Sequence, residues 1–535
     1  MTVLLTRKAV VQVQLETTYD VAATVGLSDG LLVSAPMFSV KPNVLERNFV
    51  RNDLSQMPFI IGRKLAGMTF ETELRSNGMS NSGLLANSPL IARLFQGCGY
   101  VLNAFIGANV DGPYVVGDSP TPVSWDVSSG AFASDTFTAA SDFAVGDVVT
   151  VGGKAYTFAA TQDAIDGHVV HTGTIATDLQ NLAAAINRTT PNTGGYSTGM
   201  TANAQVSAAS SSTTLTATAL LEGSVGNAIA ASYTPTGASA GAWGTATLAG
   251  GVNVASNVDL IEYTLTVTTP GASGAAHVTV TSDTVGESVA SAIVTSGTVF
   301  SVGTKGLQFT PVFTGSLYAG QQWTAWLRPA GLNLTPVSDN FKSITLAMHK
   351  DGVLHTMPGS FGTFEVTAQA GNFAMIKWTF TGTYSGPVDD PNPAPIFETQ
   401  LPSQVQNARL NMNLFDAVVE KFTFNQGNDI QIRPSVSASD GYVGVRIVSR
   451  KPEGGIDPEA DLVANNDIWG QMSSAQRMPF GMRVGDQPGN TVWITAPCTQ
   501  YSGLTYADRN GILVYDAGLR FARVNGDDEV SFYFM

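Results

Sequence analysis

The chain is 535 residues long, room for three or four domains of ~150 residues, and 44% of it is apolar while only 13% is charged. That balance excludes a highly charged disordered chain. A net charge of −15 and a pI near 4.7 exclude the basic footprint of a nucleic-acid binder. Cys98 and Cys498 give neither a disulfide framework nor a Cys-x-x-Cys metal site, and their apolar surroundings predict buried free thiols. The N-terminus lacks a signal-peptide h-region, and no apolar run reaches the ~18 residues of a membrane span. Folding in a cytosol, with no membrane partner, is the expectation.

Lys8–Asp20 opens the chain as a strand, followed by strand-like Leu31–Ser34 and Met37–Val40. Pro42–Arg63 reads as a long hairpin arm whose tip carries Arg47, Arg51, Asn52 and Asp53. Gly67–Arg75 alternates strictly, as a half-buried strand does. Ser88 as N-cap, Pro89 at the first helical position, apolar residues at 90, 91, 94 and 95 and a closing Gly97 predict one short helix.

From 131 to 253 only Lys154 and Arg188 are basic, and Ala, Thr, Ser and Gly dominate. A hairpin on Gly152-Gly153, an amphipathic helix over Thr174–Arg188 with Ile175, Leu179, Leu182 and Ile186 on one face, and strands near Gln205–Ala208 and Thr213–Ala219 predict a small inserted α+β module. An all-β segment follows to Pro329, with strands near Tyr263–Val267, His277–Val280 and Leu307–Pro311. The chain is expected to return to its host at Pro336.

Asp339–Gly386 reads as an antiparallel meander: Lys342–Lys350, a turn at Asp351-Gly352, Val353–Met357, Phe364–Ala368 and Ala374–Tyr384. Asp-Gly between alternating runs is a strong hairpin signal, because both central residues of the turn need φ > 0. In the last strand Ile376, Trp378 and Phe380 face one way and Lys377, Thr379 and Thr381 the other.

An internal repeat is also legible. Gly67 begins a strand that leads to the Ser88-Pro89 helix, and Gly441–Arg450 leads through Pro-Glu-Gly-Gly to a helix opened by Asp457-Pro458. Gly371-Asn372, Ile376 and Tyr384-Ser-Gly386 are matched in order by Gly489-Asn490, Ile494 and Tyr501-Ser-Gly503. Two tandem copies of one β-rich domain are expected, the first split by the insertions.

Catalytic candidates are few. His168 and His171, with Asp163 and Asp166 nearby, could ligate a metal only on a helix; on a strand, residues three apart face opposite sides. His349 and His355 flank a hairpin turn. Gly237-Ala-Ser-Ala-Gly241 matches the nucleophile-elbow pattern but lacks its strand, helix and base. Asp389-Asp390 and Asp527–Glu529 lack the ligand spacing of an EF-hand loop. No catalytic residue, metal or cofactor is expected, and the chain reads as non-enzymatic.

Leu15–Asp20, Gly67–Leu74, Ser88–Gly99, Asp351-Gly352 with Pro358–Gly362, Ala370–Asn372 and the Gly489–Gly511 region together resemble the major tail tube proteins of long-tailed (siphovirus-like) bacteriophages, over residues 1–100 and about 335–535. The resemblance implies a mainly β chain: two tandem tail-tube-type β-sandwich or barrel domains, each with a flanking helix, plus an inserted small α+β module and an all-β module. The domains expected are 1–100 with 335–395 and 396–535, with inserts at 131–253, facing outward, and 254–334. It implies a structural virion protein of the tail, assembled in the bacterial cytoplasm into stacked rings around a DNA-conducting lumen. A duplicated chain would close the ring as a homotrimer, with a hexamer as alternative. Implied partners are further copies, a tape measure protein and DNA in the lumen, and tail terminator and tip proteins. The arm tip at Arg47, Arg51, Asn52 and Asp53 is the candidate ring-stacking contact. A virion adhesin or carbohydrate-binding tail component is the alternative function.

Overall fold

The computed structural model describes all residues except 1–3, 6, 48, 51, 77–87, 106–108, 118–122, 130–131, 190–193, 223, 252–260, 283, 304, 306, 330, 407–409, 413–414, 417, 439–440 and 486–488. The protein is mainly β. Its host part is built on one antiparallel front sheet. In spatial order its strands are Ser34–Leu45, Ile60–Glu73, Met375–Thr383, Val353–Gln369, Val419–Asn425, Glu453–Pro458, Ile512–Ala522 and Val492–Arg509.

Alternation along these strands separates two faces. Phe70, Trp378, Phe364, Phe424, Ile456 and Leu519 are buried, while Lys377, Glu365, Glu453 and Arg520 on the other side are exposed. Behind the buried face lie two smaller back sheets. One sets Ala9–Leu15 against Ile344–Lys350, which pairs with the first half of Val353–Gln369. The other sets Leu410–Met412 against Met478–Val484, which pairs with the first half of Val492–Arg509.

The two long strands therefore each serve a back and the front sheet. Sequence alone predicts two strands, Val353–Met357 and Phe364–Ala368; Val353–Gln369 is a single one that turns a corner at Pro358-Gly359. Gly359 has φ +58, and an added Cβ there would collide with the Asp20 carboxylate. The Asp351-Gly352 turn has φ of +48 and +100, as its hairpin requires.

The front sheet repeats itself in fours. Residues Ser34–Leu45, Ile60–Glu73, Met375–Thr383 and Val353–Gln369 follow the same plan as Val419–Asn425, Glu453–Pro458, Ile512–Ala522 and Val492–Arg509: an arm-bearing hairpin, then the last strand, then the bent one. Each set has one short helix between its arm and its back-sheet hairpin, α1 (Ile91–Gly97) in the first. Details of the sequence-level repeat need correction. Met375–Thr383 corresponds in the sheet to Ile512–Ala522, one strand later than the Gly-Asn and Tyr-Ser-Gly matches suggest. The second helix does not start at Asp457-Pro458, which close the strand Glu453–Pro458; it spans Ile468–Ser473, and the Asp467 side chain accepts from Gly470 N. Likewise α1 starts at Ile91, because Ala92 N still bonds to Pro89 O; it closes at Gly97 as expected, with Cys98 as C-cap and Gly99 at φ +84.

One core joins both halves. The Phe95 ring of α1 lies 4.9 Å from Phe364, 5.1 Å from Trp378 and 4.8 Å from Phe532 of the last strand, Ser531–Phe534. Cys98 and Cys498 are buried and unpaired.

The insertions are nested. Asn109–Val116 pairs with Gln322–Arg328, and Val123–Ser129 pairs with Leu307–Phe313, so these two strands belong with the all-β segment. Between these parts sits the α+β unit, with two four-stranded sheets, a helix α2 (Ile175–Asn187) and a core drawn wholly from residues 133–248. The chain re-enters the host at Gly331, before Pro336, because Gly331–Pro336 is itself a strand between Tyr100–Phe105 and Ser531–Phe534. Trp326 and Tyr114 of the all-β segment pack on Trp493 and Tyr533, on the side of the back sheet away from the front sheet.

Candidate functional site

The features that invite function are two sheet edges and two arms. Among the described residues, Ser34–Leu45 pairs only with Ile60–Glu73, and the outer half of Val492–Arg509 from Tyr501 on pairs only with Ile512–Ala522. Each therefore presents one row of unpaired backbone groups. Their counterparts meet in the middle of the same sheet. Val353–Gln369, the counterpart of the second edge, pairs with Val419–Asn425, the counterpart of the first, from Glu365↔Asn425 to Gln369↔Lys421.

The arms extend the hairpins and behave differently. The second arm, Asn428–Pro434 with Tyr442–Arg450, breaks from its strands at Gly427 and folds back over the first half of the chain. Gly427 has φ +62, and a Cβ there would collide with the Lys451 carbonyl. Asn428 Nδ2 then donates to Cys98 O at 2.7 Å and Gly362 O at 2.9 Å, and the Tyr19 hydroxyl accepts from Val445 N at 2.7 Å. Val445 and Ile447 are buried there against Phe361, with Tyr19, Leu65 and Phe341 beside them. A cavity of about 520 Å³ remains at its foot. The cations beside it are already engaged: Arg450 by Asp527 and Glu529, Arg446 by the Phe341 ring.

In the first arm the same two strands stay paired, from Pro42↔Lys64 across a register shift to Val44↔Ile61 and Leu45↔Ile60. The arm stays bare. Val44, Leu45, Phe49, Phe59, Ile60 and Ile61 are 44–65% exposed, and Val50 and Leu54 fully so. The charges of this tip stand out in the sequence. The apolar side chains around them are the less usual feature. Arg47 lies over the Phe49 ring, Asp53 accepts from Ser55 N, Asn52 is exposed, and Arg51 lies outside the described residues.

The wet face of the front sheet is threonine-rich with charges of both signs. Lys377 lies 3.5 Å from Glu365, and Lys451 and Glu453 pair at 2.5 Å.

The candidate catalytic groups do not converge. His168 bonds to Asp163 and His171 to Asp178, each at 2.7 Å, while Asp166 is held by Lys154 and Thr201. Asp142, His171 and Asp178 lie close enough to share a cation, but Asp178 already accepts from His171 and from Thr172 N and Oγ1. Ser239 of the Gly-x-Ser-x-Gly stretch donates to Asp147 at 2.6 Å, a buried carboxylate that also accepts from Ala144, Tyr233 and Thr236. Asp527 and Glu529 serve Arg450, and Asp528 caps the turn at Val524 and Asn525. His355 stands opposite Met348 and stacks on Phe38, and His349 lies 3.7 Å from Asp390. Among the described residues, no helix is long and apolar enough to cross a membrane.

No protein-family model matches this chain, and no curated protein matches it significantly.

Proposed function

We propose that this chain is a self-assembling tube subunit, a tail tube protein of a long-tailed bacteriophage, which closes into rings of three and stacks them around a DNA-conducting lumen. The observation that carries this reading is the identity of the two free edges. Strands equivalent to them already pair at the centre of the sheet, so the internal junction serves as a template for an external one. Tyr501–Arg509 of one copy would add to Ser34–Leu45 of the next, a heterologous contact that forms a ring if its rotation closes. Three copies of an eight-stranded sheet would give a barrel of about twenty-four strands, wide enough to leave an open channel.

In that ring the wet face lines the lumen. Interspersed charges and many hydroxyls give DNA no strong basic track to adhere to. The inserted modules, attached on the side of the back sheet away from the front sheet, project outward. A tape measure protein in the lumen and terminator and tip proteins at the tube ends complete the assembly in this reading.

The test is a cross-link. Aligning Phe38 with Phe424 and Leu504 with Phe364, each on the buried side of its strand, puts Ser39 and Thr505 in the places of the paired Asn425 and Glu365. Ser39→Cys with Thr505→Cys, treated with a short bis-maleimide, should yield covalent dimers and closed trimers, and neither single variant should. Monomers alone from the double variant, under conditions where the protein forms particles, would refute edge pairing.

A further inference from the structure

The bare first arm needs a surface to cover it, and the opposite end of the sheet offers one. Following the ladders from Leu45↔Ile60 at the arm, through Glu73↔Met375, Gln369↔Lys421 and Val419↔Pro458, leads to Arg509↔Ile512 at the far end. There Leu462, Val463, Tyr506 and Leu513 are 55–73% exposed. They form one patch: Ala460 N donates to Leu513 O at 2.9 Å, and the Trp469 ring bridges Tyr506 and Tyr515 at 5.5 and 6.0 Å.

We infer that this patch is the socket for the first arm of a second copy in the adjoining ring. The inference rests on the tube reading and adds the receiving surface to it. Two properties match. Both surfaces are apolar and bare, at opposite ends of the same sheet, which is the geometry of a head-to-tail contact that propagates rather than closes. Their charges also complement each other. Lys41–Lys64 carries five basic residues against two acidic ones in a chain of net charge −15, whereas Glu459–Asp467 carries three acidic residues and no basic one. Arg509, at the end of the ladder beside the socket, is already tied to Asp457 and Glu459, at 3.3 and 2.7 Å.

The arrangement also sets the number of stacking contacts. The second arm is folded back at Gly427 and its apolar residues are covered within the chain. Each ring of three therefore sends out three arms, not six, and successive rings lock in a threefold register.

The experiment uses the full-length protein. Leu462→Glu with Leu513→Glu should leave rings of unchanged mass in analytical ultracentrifugation and raise the concentration needed for tube growth about tenfold or more, equivalent to ~1.4 kcal/mol. Tubes of normal length from that variant would overturn the socket while leaving the ring intact. No rings from the unaltered protein would instead overturn the reading on which it rests. If the double variant does not fold, charge reversal decides. Arg47→Glu should shorten tubes and Asp461→Lys added to it should restore them; no shortening, or no restoration, counts against the pairing.

Discussion

Phe95 shows what single residues do in this fold. Its ring is fully buried and touches side chains from both halves of the chain, Phe364 and Trp378 on one side and Phe532 on the other. Phe95→Ala should cost about 3–5 kcal/mol and should destabilise both halves together in a denaturant titration. Gly427→Ala belongs to the backbone: its left-handed φ and the nearby Lys451 carbonyl should make even one methyl cost about 1–3 kcal/mol. Hydrogen exchange should then speed up across Asn428–Arg450 and not in the front sheet; unchanged protection would mean the fold-back does not depend on that glycine. Burial holds His349 and His355 below the ordinary imidazole pKa. The unfolded chain therefore takes up those protons at a higher pH than the folded one, so their contribution is intact above about 6.5 and is lost as pH falls below it. The thermal midpoint of the host should drop between about pH 7 and 5, and His349→Gln with His355→Gln should lessen that drop. Ser88-Pro89 and Asp457-Pro458 both look like helix starts, yet the chain at Pro458 is held in a ladder with Val419, and long-range pairing overrides local signal.

At the level of elements, period-two alternation made the strands legible, and the Asp-Gly and Gly-Gly turns fixed their hairpins. The helix α2 was legible from its spacing: Leu179, Leu182 and Ile186 are buried. What alternation cannot reveal is where a strand changes sheets, as Val353–Gln369 does at Gly359, or which distant strand lies beside it. Hence the landmarks of the expected repeat fall on other strands: Gly441–Arg450 lies in the second arm, not in Glu453–Pro458 beside Val419–Asn425, and Gly489–Gly503 lies one strand early. The nesting of the inserts was invisible for the same reason, since Asn109–Val116 and Val123–Ser129 find their partners about two hundred residues later. The α+β unit keeps its own core. Excising residues 132–251 should leave rings that form at the normal rate, and the excised piece should melt cooperatively when expressed alone. Failure of ring formation after excision would assign the unit a part in assembly.

The candidate site was half legible at the whole-molecule scale. The arm stood out as a charged hairpin, but the bareness of Phe49, Leu54 and Phe59, the fold-back of the second arm and the patch at Leu462 and Leu513 all depend on tertiary placement. An eight-stranded sheet with two unpaired edges is an aggregation hazard in a monomer. The proposed ring removes it by giving each edge the partner its counterpart already has. Electron microscopy of the purified protein, with rotational averaging of end-on views, tests this most directly. Closed, hollow rings with three outward knobs and six lobes around the lumen are the expected result. Rings with six knobs, or open filaments without a lumen, would contradict it.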